Sequence, residues 1–112
     1  MDFEWDNAKE QANRKKHGLD FRTAAKVFLD PHVIEFDDRD ADGELRFNAI
    51  GLVDGRMLFV TYTMRGAVVR IISARGAEPH EKRKYHELQA QPEEAAKDRL
   101  AGLRRHEGGG TP

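Results

Sequence analysis

Cysteine is absent from all 112 residues. That excludes disulfides, a thiolate metal site and a cysteine nucleophile, and it fits a cytoplasmic chain. Long apolar runs are missing too. No stretch approaches the roughly 20 residues that cross a bilayer, and the opening MDFEWDNAKE is acidic and mixed, unlike a secretory leader. An excess of one charge is also missing: 19 Lys and Arg stand against 20 Asp and Glu, a net of −1. The molecule as a whole is therefore not a basic nucleic-acid binder. No segment repeats. What is present is 38% hydrophobic and 35% charged residues, the composition of one small, polar but foldable domain with a modest core.

The charges are unevenly placed. Residues 31–44 hold Glu35, Asp37, Asp38, Asp40, Asp42 and Glu44 against Arg39 alone. Residues 45–75 hold Arg46, Arg56, Arg65, Arg70 and Arg75 against Asp54 alone. Every cation of the second block is arginine, the side chain suited to planar, bidentate contact with phosphate. The segment best fitted to form the sheet is thus also best fitted to hold RNA or DNA.

Read along the chain, DFEW is a short strand. Asp6 then caps a helix through NAKEQANRKKH, which Gly18 ends from a left-handed position. DFRTAAKVFLDP predicts a second helix, capped by Asp20 and stopped by Pro31. HVIEF, LRFNAIGLV, RMLFVTYTM and AVVRIISA predict strands, with turns at Asp54–Gly55 and Arg65–Gly66. A two-residue turn at Arg65–Gly66 pairs Met64 with Ala67, Tyr62 with Val69, Val60 with Ile71 and Leu58 with Ser73. One sheet face is then apolar, while the other carries Thr61, Thr63 and Arg70. EPHEKRKYHELQA and PEEAAKDRLAGLRRHE predict helices before a flexible GGGTP end. The expectation is an α+β domain: two N-terminal helices, an antiparallel sheet of about four strands, and one or two C-terminal helices.

Two motifs mimic metal sites without completing them. DRDADG, Asp38 to Gly43, starts like a calcium loop, but its twelfth position is Ala49 rather than a bidentate Glu. HEKRKYH lacks the second zincin histidine, because Lys84 stands four residues after His80. No metal ligands are indicated.

Several stretches together resemble the BrnT-type toxins of bacterial type II toxin–antitoxin systems. They are FEWD with Lys9, Asn13 and KHG (Lys16 to Gly18), then the spaced pattern from Phe21 to Pro31. E-RF--IG follows across Glu44 to Gly51, then T-RG at Thr63 to Gly66 and RIISAR at Arg70 to Arg75, with Glu81 and Tyr85 beyond. The resemblance implies a toxin domain over residues 1–90 with a helical extension at 91–112. It implies a RelE-like compact ribonuclease fold, and cleavage of RNA that halts translation without any cofactor. It also implies neutralisation by a ribbon-helix-helix antitoxin, in a hetero-oligomer built around the antitoxin dimer that touches operator DNA only through the antitoxin. Two departures, Gly76 where a basic residue is frequent and Glu78–His80 where Thr or Ser precedes a cation, predict fewer cations beside Arg75 and weaker RNA binding.

Metal-independent RNA cleavage needs a base for the 2′-OH, a donor to the departing 5′ oxygen, and positive charge on the phosphate; a 2′,3′-cyclic phosphate is the expected product. Arg75, at a strand end before a helix N-terminus, is the first candidate for the charge. Arg65 is placed with it as catalytic, and Arg46, Arg70 and Lys16 as phosphate-binding. His17 is the candidate proton-transfer group, since histidine titrates near neutrality. Structural readings stand beside each. His17 is equally suited to meeting helix carbonyls, Glu81 to capping its helix from Glu78, and Arg70 to pairing with Glu35 or Glu44. Arg65 also reads as a solvated turn residue, Tyr85 as a core anchor, and Trp5 and Phe28 as core. A non-catalytic antitoxin-binding and co-repressor module is the alternative function. A plain nucleic-acid binder is a third, disfavoured by the near-neutral charge.

Overall fold

The computed structural model describes residues 1–39 and 43–90. The expected helix over 92–107 and half of the false calcium loop (residues 40–42) lie outside the described residues. β1 (Asp2–Trp5) leads into α1 (Asn7–His17) and α2 (Phe21–Ala25), followed by a tight 3-10 turn, Lys26–Leu29. Then come β2 (Ile34–Arg39), β3 (Leu45–Val53), β4 (Arg56–Arg65), β5 (Val68–Gly76) and α3 (Pro79–Ala90). Helix ends form as the side chains dictate. Asp6 accepts the Lys9 N–H at 2.9 Å and Asp20 accepts the Thr23 N–H at 2.6 Å, while Gly18 closes α1 at φ 71°.

The α+β class holds, and the sheet corrects the expected count and pairing. It has five strands in the order β1-β5-β4-β3-β2, and β1 runs parallel to β5, with Glu4 opposite Arg70. That pairing joins residues 66 positions apart, which no local signal reports. The second helix is also shorter than predicted: after Ala25 the chain tightens, and this turn seats Val27 over Gly51. A Cβ built on Gly51 lies 2.6 Å from Val27 Cγ2 and 3.1 Å from the Val27 carbonyl. Gly51→Ala is therefore expected to lower stability by about 1–3 kcal/mol, seen as a shift in the urea midpoint with an unchanged slope.

The β4–β5 hairpin also differs from expectation. Its loop is Gly66–Ala67, because Gly66 at φ 59° takes the first turn position that favours glycine. Arg65 becomes the last residue of β4, paired with Val68, and Tyr62 faces Ile71 instead of Val69. The two-residue displacement preserves which face each side chain takes. A bulge between Thr61 and Tyr62 then sets Val60 against Ala74 and Leu58 against Gly76.

One face, lying under α2 and the 3-10 turn, holds the main core of Phe21, Val27, Leu58, Val60, Val69 and Ile71, with Trp5 and Phe28 packed against it. On the second face Ile50, Met57 and Phe59 pack against Tyr85 of α3. The first turn of α3 lies beside the end of β5, where the Ala77 N–H donates to the Met57 carbonyl. Beyond α3 the second face is polar and open.

Candidate active site

The open end of the second face is a cleft of about 360 Å³ bounded by Arg46 of β3, Thr63 and Arg65 of β4, Arg70 of β5 and Lys9 of α1. Strand alternation aims these side chains to one side. β1 contributes Glu4 by the same rule: Phe3 and Trp5 turn to the core, so Glu4 turns to Arg70. The Arg70 guanidinium donates to Glu4 Oε2 at 2.6 Å, and Arg65 lies 3.8 Å from the same oxygen. Glu44, Asp6, Met64 and Ile72 complete the wall. The Asp6 carboxyl is held below its ordinary range chiefly by the Lys9 N–H, with the Arg70 charge acting in the same direction. Arg65 is 64% exposed along its side chain.

Next to the cleft runs a hydrogen-bonded chain across three strands. Thr61 Oγ1 donates to Asn48 Oδ1 at 2.8 Å, and Asn48 Nδ2 donates to Asp38 at 3.2 Å. It fixes the floor between the arginines and α3.

Arg75 lies at the other end of β5, beneath α3. Its two terminal nitrogens meet the two Glu81 oxygens at 2.8 Å each, and the guanidinium stacks 4.3 Å from the Phe59 ring centre. Glu81 Oε1 also accepts the Glu78 N–H at 2.7 Å, as expected of a capping residue. The Glu81 hydrogen bond pushes the Arg75 pKa up. For Glu81, burial raises the pKa but the bonds from Arg75 and the Glu78 N–H outweigh it, leaving the carboxyl below its ordinary range. Such a group stabilises the fold above its unfolded pKa of about 4.3 and loses that contribution as pH falls through the folded value. Glu81→Gln is expected to cost about 2 kcal/mol at pH 7 and to flatten the acid limb of stability measured between pH 5 and 2.

The rest of α3 is anchored by polar contacts. Tyr85 donates to Asp30 at 2.8 Å and Gln89 to the His32 carbonyl at 2.9 Å. Burial and the Asp30 bond push the Tyr85 hydroxyl up to about 12, so it remains a donor throughout the neutral range. Tyr85 is the core anchor that its sequence position suggested.

The sequence-derived site residues thus fall into two groups. Arg46, Arg65 and Arg70 converge in the cleft. Arg75, Lys16 and His17 sit toward the opposite end of the sheet, since α1 enters the cleft with Asp6 and Lys9 and is tied by Asn13 to Ala74. His17 is eight residues beyond Lys9, about 12 Å along the helix axis. Arg70 pairs with Glu4 rather than Glu35, which instead accepts the Tyr62 hydroxyl. Arg65 is a strand residue, not a turn residue. The cation missing at Gly76 is supplied in space by Arg56, whose Nη2 lies 3.2 Å from the position a Gly76 Cβ takes. Lys9 and Glu4 were not among the sequence candidates. The alternation in DFEW marks Glu4 as facing away from the core, whereas Lys9 carries no such mark.

The sequence matches a known family over most of its length. The family model for the ribonuclease toxin, BrnT, of type II toxin–antitoxin systems matches residues 5–81. The chain belongs to the BrnT family. A comparison with curated proteins gives no match. BrnT membership makes this a ribonuclease toxin with an antitoxin partner. Among the described residues, no group of three or more His, Asp or Glu side chains is placed to hold a metal ion, and no helix is long and apolar enough to cross a membrane.

Proposed function

We propose that this BrnT chain is a metal-independent endoribonuclease of RelE-like type that stops translation and is neutralised by a ribbon-helix-helix antitoxin. One observation carries the reading: arginines from three adjacent strands, joined by Lys9, meet in one cleft beside a carboxylate. Arg46, Arg65 and Arg70 hold the scissile phosphate and meet the charge that grows on its oxygens. Glu4, bonded to the cleft residue Arg70, takes the 2′-OH proton as that oxygen attacks phosphorus. The P–O5′ bond then breaks, and the 5′ oxygen takes its proton from solvent, leaving a 2′,3′-cyclic phosphate. Arg75 holds α3 in place through Glu81. His17 and Lys16 belong to a separate cationic end, available to flanking RNA.

Purified, antitoxin-free protein is expected to cleave RNA in EDTA and leave 2′,3′-cyclic phosphate ends. Cleavage that requires added divalent metal, or that leaves 5′-phosphate ends, contradicts the reading. The second reading, a non-catalytic antitoxin-binding module, is favoured by one specific feature: Arg70 and Arg75 are both already engaged by carboxylates. It predicts no cleavage of free or ribosome-bound RNA by the folded protein.

A further inference from the structure

The face of the sheet opposite the arginine cleft carries an apolar and acidic surface that the ribonuclease reading does not use. Four aromatic rings form a row at its base, Tyr62 buried and Phe3, Phe28 and Phe47 partly exposed. Phe3 and Phe28 have centroids 5.6 Å apart, Phe28 and Tyr62 5.1 Å, and Tyr62 and Phe47 5.4 Å. At one end Met1, Phe3, Phe28 and Leu29 bound a groove of about 340 Å³, with Met1 83% and Leu29 79% exposed. At the other end the row meets two exposed carboxylates of the edge strand β2. Glu35 accepts the Tyr62 hydroxyl, and Asp37 stands directly opposite Phe47. Burial, then the Glu35 bond, then the charges of Glu35 and Asp37 all push the Tyr62 pKa up, so the hydroxyl inside the row stays neutral beside the two carboxylates.

We propose that this surface is the antitoxin's anchor, taking an apolar segment flanked by lysine or arginine. Leu29 and Met1 remaining so exposed beside an aromatic groove marks a surface shaped for burial in a complex. The Glu35–Asp37 rim selects a cationic flank by charge complementarity and repels RNA phosphate, which keeps RNA on the arginine face. The inference rests on BrnT membership, which supplies the partner, and not on the cleavage mechanism. It places the anchor on the side of the sheet away from the cleft, so affinity for the antitoxin and affinity for RNA are separable by substitution.

The test uses the full chain and its cognate antitoxin. Leu29→Asp and Asp37→Lys, both at exposed positions, are each measured for antitoxin affinity by calorimetry and for RNA cleavage without antitoxin. Each substitution is expected to weaken the antitoxin Kd at least tenfold while leaving the cleavage rate and the urea midpoint of the parent. Unchanged affinity in both variants overturns the inference. So does a concentration-dependent dimer of the parent alone that Leu29→Asp abolishes while antitoxin affinity stays the same, because the surface then belongs to a second copy of the chain. A parent that binds antitoxin through this face yet cleaves no RNA leaves the inference standing and removes the ribonuclease mechanism.

Discussion

Asn13→Ala is expected to destabilise the protein by about 3–6 kcal/mol, a large share of the 5–15 kcal/mol that holds a typical domain together. Asn13 is 7% exposed, and its amide makes three contacts. Nδ2 donates to the Leu19 carbonyl at 3.0 Å and to the Ala74 carbonyl at 2.8 Å, and Oδ1 accepts the Ala74 N–H at 3.0 Å. β1 is paired with β5 only as far as Ile71, so past that point the side-chain amide of α1 stands in for the missing strand. Truncation leaves three buried backbone groups without partners. Asn13→Asp keeps an acceptor for Ala74 N–H but loses both donations and buries a charge against two carbonyls, so it is expected to be at least as damaging near neutral pH. Chemical denaturation of both variants against the parent checks the size. A loss under 1 kcal/mol in either variant contradicts the role assigned to this residue.

Cleavage is expected to fall by about 100-fold or more in Arg46→Gln and in Arg70→Gln, the range seen when one fixed donor to developing charge is removed. His17→Gln is expected to stay within about threefold of the parent, because a catalytic base a helix length from the phosphate transfers no proton. Arg75→Gln separates the two groups: its loss is expected chiefly in stability, where the Glu81 carboxylate is left buried without its partner. The reverse pattern, with Arg75 and His17 essential and the cleft arginines dispensable, moves the chemistry to the α3 end. Single-turnover rates, with far-ultraviolet circular dichroism to confirm folding, decide between them.

Much of this arrangement was legible from residues near one another in sequence. The two Asp caps, Gly18, the Asp54–Gly55 hairpin and the alternation in LRFNAIGLV all report local backbone geometry, and each forms as its side chains require. The arginine block was legible as composition, and its three cleft members share a face because alternation puts them there. What was hidden depends on distant pairing. Glu4 meets Arg70 only because β1 joins the far side of β5. Arg75 read as a phosphate ligand because it ends a strand before a helix N-terminus, but Glu81 turns back on that helix to hold it. The hairpin loop moved by one residue because Gly66 suits the first turn position, a preference that pairing faces alone do not reveal.

The most direct test of the central claim, that the cleft of Arg46, Arg65 and Arg70 holds RNA phosphate, is the salt dependence of binding to an oligonucleotide with 2′-deoxy substitution at every position. Plotting log K against log salt concentration for the parent, Arg46→Gln and Arg70→Gln is expected to show the slope shrinking by about 0.7 for each arginine removed. Slopes that match the parent in both folded variants, with a smaller slope in Lys16→Gln instead, contradict the claim and place the RNA at the other end of the sheet.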